Sequence, residues 1–143
     1  MVLFSYSSTQ AEEIVADQDC TAAVANAEQL IEKGRRVDVI LGVVNISQNY
    51  PDHPHGRPYG YIFGMRGPST ISILQSPQYM KIIARKVLKN CTSVSAVIFG
   101  VDSSGYSVYV GIFPSGKIDF FECLDINSTS REKPKWGQEY CND

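Results

Sequence analysis

The stretch richest in reactive side chains is "NISQNYPDHPHGRP", Asn45 to Pro58. It holds both histidines of the chain, three of its seven prolines, and Asp52 and Arg57. Asp52, His53 and His55 offer the carboxylate and imidazole groups that a divalent cation takes as ligands. Pro54 separates the two histidines and no fourth ligand stands nearby, so the spacing is unspecific and no metal is expected. Recognition of a ligand fits the composition better. Arg57 presents a planar fork to a carboxylate or phosphate, and Tyr50 a rigid amphipathic ring, two residue types favoured at binding hot spots. Proline lowers the entropy that such a loop loses on ordering. Tyr50, Asp52, His53, His55 and Arg57 are therefore the expected ligand-binding set. Imidazoles ordinarily titrate near pH ~6.5, so an affinity that uses one should change across neutral pH.

Catalytic constellations are weaker. A nucleophile, base and orienter would need a Ser or Cys near His53 or His55, and no G-x-S-x-G elbow is present. "GMRGPST" (Gly64 to Thr70) lacks the Lys-Ser/Thr that completes a phosphate loop. Asp102, Asp119, Glu122 and Asp125 are spaced as turn and hairpin-end carboxylates, which are ordinarily solvated. No catalytic residue and no cofactor are expected. A non-enzymatic binding or structural domain is favoured over a small extracytoplasmic hydrolase that would use the same loop.

The 143 residues, 43% apolar and 20% charged, suit one folded domain. A formal charge of −2 gives no electrostatic reason to expect nucleic acid or an anionic membrane. No apolar run approaches the roughly 20 residues of a membrane span. The partner is an unknown protein or surface ligand.

Cys20, Cys91, Cys123 and Cys141 form no C-x-x-C pair. An even count without metal spacing favours disulfides and an oxidising compartment, periplasmic or secreted. The opening "MVLFSYSSTQAEE" is consistent with export: Thr9-Gln10-Ala11 fits a small-x-small cleavage site before acidic Glu12-Glu13. Val2 to Tyr6 is short for the apolar middle of a signal, so residues 1–11 read either as the remnant of a signal or as a short edge strand with Val2, Phe4 and Tyr6 on one face. The domain proper is expected over 12–143. Asn45, Asn90 and Asn127 begin N-x-S/T triplets, which matter only in a eukaryotic secretory host.

The surrounding elements follow from periodicity. Cys20, Val24, Ala27 and Ile31 mark one face of a helix from Asp19 to Lys33, with Gly34 as its stop. Arg36 to Val44 is a buried β-branched strand, and Tyr59 to Met65 a second. Ser76 as cap and Pro77 at the first turn open a helix whose stripe is Met80, Ile83, Ala84, Val87 and Leu88, with Cys91 at its end. Its opposite face carries Lys81, Arg85 and Lys89, a solvated face by default. "SAVIFGV", "YSVYVGIF" and "KIDFFECL" follow as three strands joined by "DSSG" and "PSG". The expected fold is α+β in the order α-β-β-α-β-β-β: a five-stranded antiparallel sheet with two helices on one face. That is the element order of roadblock and longin domains, so a roadblock-like interaction module stands as the reading if the thiols are free. The stripes prefer Cys20–Cys91, worth about 4 kcal/mol by the chain-entropy model. Cys123–Cys141 would staple the C-terminal tail, worth about 3 kcal/mol, with Trp136 laid on the sheet. Two other connectivities remain open to the sequence.

"YPDHPHGRPYGYIFGM", "SILQSPQYMKIIARKVLKNC", "FGVDSSGYSVYVGIFPSGKIDFFECLD" and "WGQEYC" together resemble a group of small exported cyanobacterial proteins of unassigned activity. The resemblance implies a cleaved signal and a disulfide-bonded extracytoplasmic domain. It carries no catalytic residues.

Overall fold

The computed structural model describes residues 17–125 and 133–141. The expected signal remnant or strand at 1–11 and the domain start at 12 lie outside the described residues, as do the side chains of Asp125 and Cys141. Helix α1 (Gln18–Glu32) starts at Asp17, whose carboxylate accepts from the amides of Asp19 and Cys20 at 3.1 and 3.2 Å. It ends before Gly34, which takes the left-handed φ of 67° that favours glycine. Strands β1 (Asp38–Asn45) and β2 (Tyr59–Arg66) pair antiparallel, from Asp38 opposite Arg66 to Asn45 opposite Tyr59. A short helix α2 (Thr70–Leu74), not expected from periodicity, precedes α3 (Pro77–Asn90). Five residues are too few to show a helical period. Pro77 sits in the first turn as expected, but the Ser76 hydroxyl makes no cap. It donates instead to the Ser72 carbonyl at 2.9 Å.

Strands β3 (Val94–Val101), β4 (Ser107–Ile112) and β5 (Ile118–Phe120) complete a five-stranded sheet in the order β1-β2-β3-β4-β5. The fold is α+β, but the sheet is mixed, not antiparallel: β2 and β3 run parallel. The reason is the crossover. Helices α2 and α3 carry the chain from the Arg66 end of β2 back to its Tyr59 end, so Val94 enters beside Tyr59. The expected strand "KIDFFECL" is also corrected. It breaks at Phe121, whose ring turns to the opposite face of the sheet. The next amide, Glu122, donates to Gly137 of the tail at 2.7 Å. Strand β6 (Glu122–Asp125) then pairs in parallel with β7 (Gln138–Cys141), a second two-stranded sheet.

Helices α1 and α3 pack on one face of the main sheet. Their expected stripes are the buried residues, from Cys20 to Ile31 and from Met80 to Leu88, against Phe63, Met65, Val97, Phe99 and Val110. The Cys20–Cys91 disulfide ties the start of α1 to the end of α3. The described disulfide thus joins the helices and not the tail; the expected Cys123–Cys141 staple involves a side chain outside the described residues. No described cysteine is a free thiol. Among the described residues, no helix is long and apolar enough to cross a membrane.

Candidate functional site

The opposite face of the sheet has its own cluster: Ile46, Tyr50, Ala96, Ile98 and Phe121, edged by Tyr109, Phe113 and Trp136. Gly111 is its floor. A Cβ there would stand 2.6 Å from a Phe121 ring carbon and 3.1 Å from a Trp136 ring carbon, so only glycine lets both rings lie on β4.

The 45–58 connection is folded over this cluster. Ile46 N–H donates to Pro58 O at 2.9 Å and closes its ends. The Asn45 side-chain oxygen accepts from Ser47 N–H at 3.0 Å, and Tyr50 N–H returns to Ile46 O at 3.0 Å. Tyr50 is 4% exposed. Its ring meets Phe121 and Trp136 edge-on, with centroids 5.6 and 5.4 Å away, and its hydroxyl donates to Gln138 O at 2.7 Å. Tyr50 therefore pins the loop to the tail from beneath and offers no ring to a ligand.

The tail straps the loop from the outside. Both Asp52 carboxylate oxygens accept from Trp136 N–H, at 3.1 and 3.0 Å. Trp136 Nε1–H donates to Ile112 O at 3.0 Å, and Lys133 Nζ to Gln48 O at 2.7 Å. Between loop and sheet lies an open cleft of about 400 Å³. Asp52, His53, His55 and Arg57 line one side of it. The β4–β5 turn supplies the other through Ile112, Phe113, Pro114 and Gly116. Four of the five expected residues are brought together there, and Tyr50 is not.

Each polar group has a definite state. Nδ1 of His53 lies 2.8 Å from the Tyr50 carbonyl, an acceptor, so Nδ1 carries a hydrogen and Nε2 is the ring nitrogen left for a ligand. Arg57 Nη1 donates to Leu88 O, Cys91 O and Val94 O at 3.1, 3.2 and 2.7 Å, closing the end of α3. Burial lowers its pKa from the ordinary guanidinium value. Its Nε and Nη2 have no acceptor among the described residues. Arg57 thus does two jobs that the sequence could not separate, a helix closure and a wall of the cleft.

Sequence reasoning missed two contributions. Phe113 and Pro114 read only as the end of a hairpin, although an aromatic next to a proline at a turn was a usable signal. Glu139 on β7 gave none, being one acid in a polar tail. It is 7% exposed, and its Oε2 accepts from Tyr109 N–H at 3.2 Å. Burial raises its carboxyl above the usual range, against the lowering effect of that hydrogen bond. Burial also raises the phenols of Tyr50 and Tyr109, and nearby charge adds to it, so both stay protonated donors. Among the described residues, no group of three or more His, Cys, Asp or Glu is placed to hold a metal ion. The chain matches no protein-family model, no curated protein and no solved structure.

Proposed function

We propose that this chain is an exported, disulfide-bonded binding domain that captures a ligand carrying a carboxylate or phosphate in the cleft between the 52–57 loop and the β4–β5 turn, and does no chemistry on it. One observation carries the reading: Asp52, His53, His55 and Arg57 converge on a single cleft whose far wall is apolar. A few polar groups facing an apolar wall are the usual make-up of a small-ligand site. The Asp52 carboxylate is already engaged by Trp136, which leaves Arg57 and the two imidazoles as the groups that meet the ligand, a set suited to an anion. Protein or cell-surface polymers that present such groups are the partner class.

Export is supported by the Cys20–Cys91 disulfide, since such bonds form and persist in oxidising compartments. Within the same proposal, Cys123 pairs with Cys141 and staples the tail that straps the loop. Support comes from β6 and β7, which run side by side with Cys123 opposite Glu139 and Asp125 opposite Cys141.

The test uses the single tryptophan. Trp136 bonds to Ile112 at the cleft wall, so its emission reports occupancy. Titration with inorganic phosphate, acetylated amino acids and neutral monosaccharides should give a saturable change for the anions alone. His53→Ala with His55→Ala should abolish it while the far-ultraviolet dichroism stays that of the folded protein. A response to neutral sugars only, or one unchanged in the double variant, would overturn the reading.

A further inference from the structure

We propose that β1 is an interface strand, and that two copies of this chain join there, antiparallel about a two-fold axis at Gly42, to make one continuous ten-stranded sheet.

The two edges of the main sheet are built differently. The β5 edge is three residues long, and its chain leaves at Phe121. Asp119 accepts from Phe120 N–H at 2.8 Å and pairs with Lys81 and Lys117, each at 3.3 Å. Short length, charge and a side chain on an edge amide are the usual protections against unwanted strand pairing.

The β1 edge has eight residues, "DVILGVVN", with six apolar or glycine positions in a row and neither lysine, arginine nor proline among them. Ladder bonds alternate in an antiparallel pair, and Ile46 N–H faces β2 by its bond to Pro58 O. Counting back, residues 44, 42 and 40 also face β2, whereas Val39, Leu41 and Val43 turn their amides outward. Val39 N–H is taken by Glu32 Oε2 at 3.1 Å. Those of Leu41 and Val43 have no partner among the described residues. The outward groups call for backbone of another strand, because only a strand supplies donors and acceptors at that repeat.

The side chains choose a second copy and a register. Ile40 and Leu41 are 40% and 38% exposed, on opposite faces of the strand. With Gly42 opposite Gly42 of the second copy, Leu41 exchanges both backbone bonds with the partner's Val43. Leu41 then packs on that valine, while Ile40 packs on the partner's Val44 on the other face. Both exposed residues are covered at once. The closest pair, at the axis, has no side chain to clash. Asp38 of each copy falls at opposite ends of the joint, so like charges do not meet. The association closes on itself, and among the described residues the main sheet keeps only its protected β5 edges.

The test is sedimentation together with amide exchange of the full chain. The wild type should be a dimer, with the Leu41 and Val43 amides protected although no acceptor for them exists among the described residues. Leu41→Lys, which places a charge on the joint, should sediment as a monomer with both amides exchanging freely and with unchanged far-ultraviolet dichroism. Leu41→Pro removes an amide that β2 does not use and should act in the same way. A monomeric wild type at concentrations of about 100 μM would overturn the proposal, this being well above the range of an ordinary specific complex. So would protection of these amides in a monomer, or a dimer that survives both substitutions.

Discussion

The two faces of the main sheet are held by different physics. Under the helices the contacts are apolar and continuous: Ile31, Phe63, Met65, Ile83, Leu88 and Phe99 have essentially no exposure, and a disulfide closes the layer. On the other face the cover is a loop and a tail, held by aromatic edges and a few bonds between side chains and backbone: Tyr50 to Gln138, Asp52 to Trp136, Trp136 to Ile112, Lys133 to Gln48. Apolar burial is spread over many contacts and fails only in bulk, whereas a strap of separate polar bonds can open locally. The candidate cleft lies on the strapped side. A site whose cover can adjust while the sheet beneath stays rigid is how loops usually carry binding.

The comparison breaks most severely at Phe63. Its ring is fully buried and stacks at 5.9 Å on Phe99 beneath the helices. Phe63→Ala should cost about 3–5 kcal/mol, the usual range for removing a core aromatic. Because both faces share the same sheet, Trp136 emission and far-ultraviolet dichroism should lose their native signals together. A variant in which emission outlasted the dichroism would mean that the strapped face stands without the helical layer.

How much of this was legible depended on whether the period or the partner sets the structure. The stripes of α1 and α3 read directly, because a 3.6-residue repeat against one flat sheet face leaves little choice of which residues are buried. The Cys20–Cys91 link followed from those stripes. The parallel β2–β3 pair did not read, since a crossover and a hairpin chain contain the same strands and differ only in where the helix returns. The break at Phe121 was equally hidden: two adjacent phenylalanines serve opposite faces, and apolar alternation cannot show a strand changing sheets. Asp52, His53, His55 and Arg57 stood out in the sequence because polar residues in a long loop are few, and the structure sets all four on one cleft. The burial of Tyr50 was not legible, since a tyrosine in a loop looks the same whether it faces out or pins the loop from below.

A smaller lesion separates the faces. Gly111→Ala would drive a methyl to within 2.6 Å of the Phe121 ring while leaving the helix layer untouched. Overpacking of this kind costs about 1–3 kcal/mol. The rings must rise from β4, so the Trp136 emission transition should fall to lower temperature than the transition seen by dichroism. Anion binding, if it occurs in the cleft, should weaken with it. Coincident transitions would show that the two faces melt as one unit and that the straps are as cooperative as the core.

The smallest effect expected is at Glu139, and its sign is the informative part. Burial against the aromatic cluster raises its carboxyl above its ordinary 4.5, so the folded chain holds the proton to higher pH than the unfolded chain does. Over that window the unfolded state binds fewer protons, and stability must fall as pH rises. The contribution is complete below the ordinary glutamate range and is lost as pH climbs through the raised value. Glu139→Gln keeps an oxygen for Tyr109 N–H and removes the ionisation. The variant should therefore match or exceed the wild type at pH 7 by no more than about 1 kcal/mol, and its Trp136 melting temperature should be flat from pH 4 to 7 where that of the wild type declines. If instead Glu139→Gln loosens the tail at pH 7, the charged form of Glu139 is held by a cation on the tail, and the strapped face is joined by an ion pair as well as by backbone bonds.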